Sequence, residues 1–185
     1  MKKNYFIIHG SFGNPYENWF PWLNEKLSRE GNAVIVPQFP IGVEFQNYDN
    51  WSKLLKYYLD LGLINENTVI IGHSIAPIFI IKFILENKVK LNKLISVSGF
   101  NNFTTDGGAF DKVNSTFFVN EDKSQIKNYV NEIICFYSDN DPYLPFDVSD
   151  SFANEVSTKK VTIHNGGHFN SDAGYDTFDK LLEYI

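Results

Sequence analysis

Thr68-Val69-Ile70-Ile71-Gly72-His73-Ser74-Ile75-Ala76-Pro77 decides the reading of this chain. Thr68–Ile71 is a short β-branched run, the mark of a buried strand. Ile78–Leu85, Ile-Phe-Ile-Ile-Lys-Phe-Ile-Leu, has the length and apolarity of a largely buried helix. Between them Ser74 sits on a sharp strand-to-helix turn, flanked at −2 and +2 by the small residues Gly72 and Ala76. A serine so placed is forced into a strained backbone and held out at a sheet edge, the arrangement of a nucleophile elbow. Small neighbours are needed because strand and helix approach closely there; the usual pattern has glycine at both places. Pro77 falls in the first helical turn, where its missing N–H costs nothing. The plain alternative is a buried strand–turn–helix whose serine is an N-cap.

Outward from this turn, the chain alternates strands with helices. Tyr5–Ile8 is a first strand and leads into His9-Gly10-Ser11-Phe12-Gly13-Asn14, whose glycines lack the spacing of a dinucleotide fingerprint. Apolar residues at 19, 20, 23 and 27 give a helix that Gly31 ends. Ala33–Pro37 is the second strand and Tyr48–Leu61 an amphipathic helix. Leu94–Ser98, Glu132–Tyr137 and Lys160–His164 are the fourth to sixth strands. Short helices are expected over Ile126–Val130, Phe146–Val156 and Asp176–Ile185. Six strands alternating with helices predict a three-layer α/β/α sandwich on a mostly parallel six-stranded sheet, one domain over 1–185 without a cap domain.

The 185 residues are 43% hydrophobic and 16% aromatic, enough for a packed core. A net charge of −6 without a basic stripe argues against a nucleic-acid partner. The first residues run straight into a strand, with no secretory core and no membrane-spanning run, so a cytoplasmic protein with no membrane partner is expected. Cys135 is alone and lies in a strand. The scattered histidines have no metal-ligand spacing, so neither metal nor cofactor is expected.

In this topology Ser74, Asp139 or Asp141, and His168 all follow the carboxyl ends of strands and gather at one sheet edge. A hydroxyl is a poor nucleophile until a base takes its proton. His168, behind two glycines, is the candidate base, with an aspartate to hold its tautomer. Asp141, in Asp141-Pro142, is preferred over Asp139. The Ile75 N–H and that of Ser11 or Phe12 are candidates for an oxyanion hole, worth ~3 kcal/mol per donor. His9 and His73 flank the site as structural or pocket-lining residues. Gly99–Lys123 carries Phe100, Phe103, Phe110, Phe117 and Phe118, a substrate-pocket wall or small lid, or a loop that covers core.

Gly-His-Ser-x-Ala at 72–76, Ser-Asp-Asn-Asp-Pro-Tyr-Leu-Pro at 138–145 and Gly-Gly-His-Phe at 166–169 resemble the small serine hydrolases related to retinoblastoma-binding protein 9 and the bacterial YdeN-like proteins. The resemblance spans nearly the whole chain. It implies an α/β-hydrolase fold with Ser74, Asp141 and His168 catalytic; the first loop differs from many relatives. The expected activity is cleavage of a small carboxylic ester, or a thioester or amide, through an acyl-serine. The expected partner is a small ester-like molecule; the sequence names no protein partner. A non-catalytic interaction module on the same fold is the competing class, and a C–C hydrolase or haloperoxidase-like enzyme is another.

Overall fold

The computed structural model describes residues 3–102 and 108–185. Its six strands are β1 (Asn4–Ile8), β2 (Ala33–Ile35), β3 (Thr68–His73), β4 (Leu91–Val97), β5 (Val130–Ser138) and β6 (Lys159–Ile163). All five pairings are parallel, in the order β2-β1-β3-β4-β5-β6. The chain starts inside the sheet, steps out to one edge, then returns across β1 and moves the other way. The direction reverses between β1 and β3, and at such a switch point the loops diverge and leave a crevice at the carboxyl ends.

Parallel strands alternate their side chains between two covered faces, and the core divides accordingly. Phe6, Ile8, Ile70, Leu94, Ile133 and Cys135 meet one face; Tyr5, Ile7, Val69, Ile71, Ile95 and Ile134 meet the other. Helices α2 (Tyr48–Asp60), α3 (Ala76–Asn87) and α5 (Phe146–Val156) cover the first face. Helix α1 (Phe20–Arg29) and the one-turn α6 (Asp179–Leu182) cover the second. A further short helix, α4 (Ala109–Asn114), follows β4.

Three segments differ from the sequence reading, the first being the stretch 99–123, where α4 and a 3-10 turn over Ser115–Phe117 stand in an expected loop. A 3-10 helix runs over Lys123–Asn128 in place of the helix expected over Ile126–Val130, and β5 begins at Val130, two residues before the expected Glu132. The closing helix is confined to Asp179–Leu182, because Tyr175 and Phe178 pack on Phe169 instead of joining a regular face.

Candidate active site

The elbow is built by close approach. A Cβ on Gly72 would stand 2.8 Å from Ile80 Cδ1 and 3.0 Å from the Pro77 nitrogen, so only glycine lets β3 and α3 come this near. Ser74 has φ +61°, in the left-handed region that non-glycine residues avoid. Its N–H donates to Val97 O at 2.9 Å, which ties the turn to β4. Ile75 follows as the N-cap residue of α3, at the positive end of that helix.

The loops after β5 and β6 bring a carboxylate to an imidazole. Asp141 Oδ2 accepts from His168 Nδ1 at 2.7 Å and from Ser98 Oγ at 3.2 Å. Its Oδ1 accepts the N–H groups of Tyr143 and Leu144 at 2.9 and 3.1 Å. Four donors fix this carboxylate, and its acceptor-only chemistry places the His168 proton on Nδ1, leaving a lone pair on Nε2. Asp139 is directed elsewhere: it accepts from His164 Nδ1 at 2.5 Å and from Asn165 N–H at 2.8 Å. The Asn165 N–H, then His164, hold the exposed Asp139 carboxyl below its usual range.

His73 is packed against Trp19, Phe20 and the ring of His168, the last at 4.9 Å between centroids. Its Nε2 donates to the main-chain oxygen of His168 at 2.8 Å. Burial, with His168 adjacent, pushes the His73 imidazole down to about 3, so the ring is neutral at ordinary pH.

The loop after β1 lies against the serine. A Cβ on Gly10 would fall 2.8 Å from Ser74 Cβ and 3.4 Å from its Oγ. Ser11 Oγ donates to Asn114 Oδ1 at 2.6 Å. Phe12 is corrected as an oxyanion candidate: its N–H is taken by Gln46 Oε1 at 2.7 Å. His9 is corrected as a pocket residue. It is fully buried, donates from Nδ1 to Gly10 O at 2.8 Å, and accepts the Phe39 N–H on Nε2 at 3.0 Å. It braces the loop from behind, and burial lowers its basicity.

A cavity of about 650 Å³ is lined by Ser74 and His168 together with His73, Gly10 and Ser11. Phe100, Phe110, Tyr143 and Leu144 give it an apolar wall. Phe117 is not part of that wall, because its ring lies in the core 4.9 Å from Trp51 and 5.9 Å from Phe79. Phe118 packs beside Phe100 at 6.2 Å and faces a different surface recess. Phe103 lies outside the described residues. Sequence reasoning missed Glu17, Asn18 and Asn170–Asp172, which close the cavity with polar groups. Their one signal was position, soon after β1 and just beyond His168. Among the described residues, no group of three or more His, Cys, Asp or Glu side chains is arranged to hold a metal ion, and no helix is long and apolar enough to cross a membrane.

An all-parallel six-stranded sheet covered on both faces, with a left-handed serine on the turn into a buried helix, is the α/β-hydrolase fold. The chain belongs to the serine hydrolase family, whose model matches residues 5–185. It is similar to YdeN of Bacillus subtilis (strain 168), with 26% identity over 191 residues, spanning 100% of this chain and 97% of that protein. The crystal structure of the ydeN gene product superposes with a TM-score of 0.84 at 24% identity, over 98% of this chain and 96% of that one. Two more distant structures share the fold. One is Est1E from Butyrivibrio proteoclasticus, with a TM-score of 0.71 and 15% identity over 98% of this chain and 84% of that one. The other is the meta-cleavage product hydrolase CumD from Pseudomonas fluorescens IP01, with a TM-score of 0.70 and 14% identity over 97% and 89%.

Proposed function

We propose that this chain hydrolyses small carboxylic esters, as an enzyme of the EC 3.1.1 type, through an acyl-Ser74 intermediate. One observation carries the reading: the strained Ser74 shares a cavity with a His168 whose Nδ1 is bonded to Asp141 at 2.7 Å. In this mechanism His168 Nε2 takes the Ser74 Oγ proton as Oγ attacks the ester carbon. The oxyanion that forms accepts hydrogen bonds from Ile75 N–H and Ser11 N–H, the Phe12 N–H being engaged by Gln46. Collapse breaks the C–O bond to the alcohol, which leaves with the proton from His168. Water then attacks the acyl group, giving its proton to His168, and Ser74 is regenerated with release of the acid. Asp141 keeps the imidazole in the productive tautomer and stabilises its cation. The apolar wall around Phe100 and Phe110 fits a short acyl chain.

The test is hydrolysis of p-nitrophenyl acetate and butyrate by wild type and Ser74→Ala. The reading expects turnover by the wild type and background rates in the variant. Equal rates from both proteins would remove Ser74 from the chemistry.

A further inference from the structure

The loop after β5 does more than present Asp141. Four successive side chains, Ser138 to Asp141, each accept a hydrogen bond from the segment 164–168. Asp139 takes His164 Nδ1 at 2.5 Å and the Asn165 N–H at 2.8 Å. Ser138 Oγ takes the Gly166 N–H at 2.9 Å, and Asn140 Oδ1 takes the Gly167 N–H at 2.8 Å. Asp141 Oδ2 takes His168 Nδ1 at 2.7 Å. Ser138 donates its hydroxyl to Asn140 Oδ1 at 2.7 Å, so these two side chains act as one unit.

The clasped segment needs such support. β6 ends at Ile163, so the buried N–H groups of Gly166 and Gly167 find no strand partner. The backbone also enters the left-handed region three times in five residues, at Asn165 (φ +55°), Gly167 (φ +56°) and Phe169 (φ +51°). Conformations of this kind persist only where the surroundings over-determine them. Gly167 is pinned on its other side, since a Cβ there would stand 2.7 Å from Ala173 Cβ.

We propose that Asn140 is a positioning residue for His168. Its Oδ1 fixes the Gly167 N–H, and with it the stretch of backbone from which the imidazole projects toward the cavity. Asn140 is exposed and does not line the cavity, so its side chain acts on the site through the backbone it holds and not by touching substrate. A neutral acceptor also suits a place between two carboxylates, Asp139 and Asp141. The inference rests on His168 being the general base.

The experiment compares wild type, Asn140→Ala and Asn140→Asp. With p-nitrophenyl acetate, Asn140→Ala lowers kcat about tenfold with KM within about twofold, because the base is misplaced while the cavity is intact. Asn140→Asp keeps the acceptor and recovers kcat to within about threefold of wild type; its added charge favours the imidazolium and moves the acid limb of the pH profile to higher pH. Asn140→Ser, too short to reach Gly167, replaces the alanine variant if that one does not fold. A second readout needs no turnover: the proton between His168 Nδ1 and Asp141 gives a far-downfield proton resonance. That signal broadens or disappears in Asn140→Ala and persists in Asn140→Asp. The proposal is overturned if Asn140→Ala keeps wild-type kcat, if its loss lies in KM, if aspartate fails to recover it, or if the resonance is unchanged in Asn140→Ala. A wild type without esterase activity would defeat the ester-cleaving reading, and the resonance alone would then decide the role of Asn140.

Discussion

His168 Nδ1 and Asp141 Oδ2 stand 2.7 Å apart, with 9% and 2% of their side chains exposed. A second aspartate–histidine pair, Asp139 with His164, lies close by in sequence but in solvent, 36% and 81% exposed. The two pairs make a controlled comparison. Asp141→Asn frees His168 to take the wrong tautomer, and kcat should fall by about 10³ to 10⁴. Asp139→Asn keeps an Oδ1 to accept the Asn165 N–H and loses only the charge of an exposed pair, so it should leave kcat within about threefold. Steady-state kinetics on both variants checks this, and a larger loss from Asp139→Asn would reverse the assignment.

His73 should make the fold acid-sensitive. Its ordinary value is 6.5 and its buried value is about 3. Below about pH 6.5 the unfolded chain takes up this proton and the native chain does not. The contribution of His73 to stability is therefore complete above that pH and declines as pH falls toward 3. One proton corresponds to a slope of up to about 1.4 kcal/mol per pH unit. His9, also lowered by burial, acts in the same direction. His73→Gln keeps a donor for the His168 carbonyl but does not titrate. Urea unfolding at pH 7.5 and 5.0 should show a smaller pH dependence in this variant than in wild type; equal dependence would contradict the account.

Gly10 is required by proximity rather than by backbone freedom. Gly10→Ala sets a methyl 2.8 Å from Ser74 Cβ and should cost about 10²-fold in kcat by displacing the nucleophile. Gly174, at φ +84° with nothing within 4 Å, supplies the contrast. Gly174→Ala should cost about 1 kcal/mol of stability and leave kcat unchanged. Kinetics and thermal unfolding on the two variants separate the effects.

Two phenylalanines from one stretch of sequence should behave oppositely. Phe110 lines the cavity, so Phe110→Ala should raise the butyrate-to-acetate ratio of kcat/KM. Phe117 is sealed among Trp51 and Phe79, so Phe117→Ala should cost about 3–5 kcal/mol of stability and leave that ratio as in wild type. An altered ratio in Phe117→Ala would contradict the division of these residues between core and cavity.

The legible parts of the fold were those with a strong local cause. Thr68–His73 and its elbow could be read because a β-branched run, two small residues and a proline all demand one geometry. Phe146–Val156 was read with its observed limits, since Pro145 stops the preceding chain and the apolar spacing is regular. The helix expected over Ile126–Val130 lies instead at Lys123–Asn128 as a 3-10 turn, capped by Asp122 and tied by the Lys123 N–H to Glu155, a partner 32 residues away with no local signature. The cavity wall was half legible for a related reason. Composition marks Phe110 and Phe117 alike, and only the helical turn between them decides which faces Ser74. The engagement of Phe12 by Gln46 spans 34 residues and has no local signature.

The most direct measurement is fluorophosphonate labelling of the wild type, followed by mass spectrometry of the digested protein. The account predicts a single adduct on the peptide carrying Ser74, absent in Ser74→Ala and slowed in His168→Ala. An adduct on another serine, such as Ser11 or Ser98, or no adduct at all, would contradict the claim that Ser74 is the nucleophile.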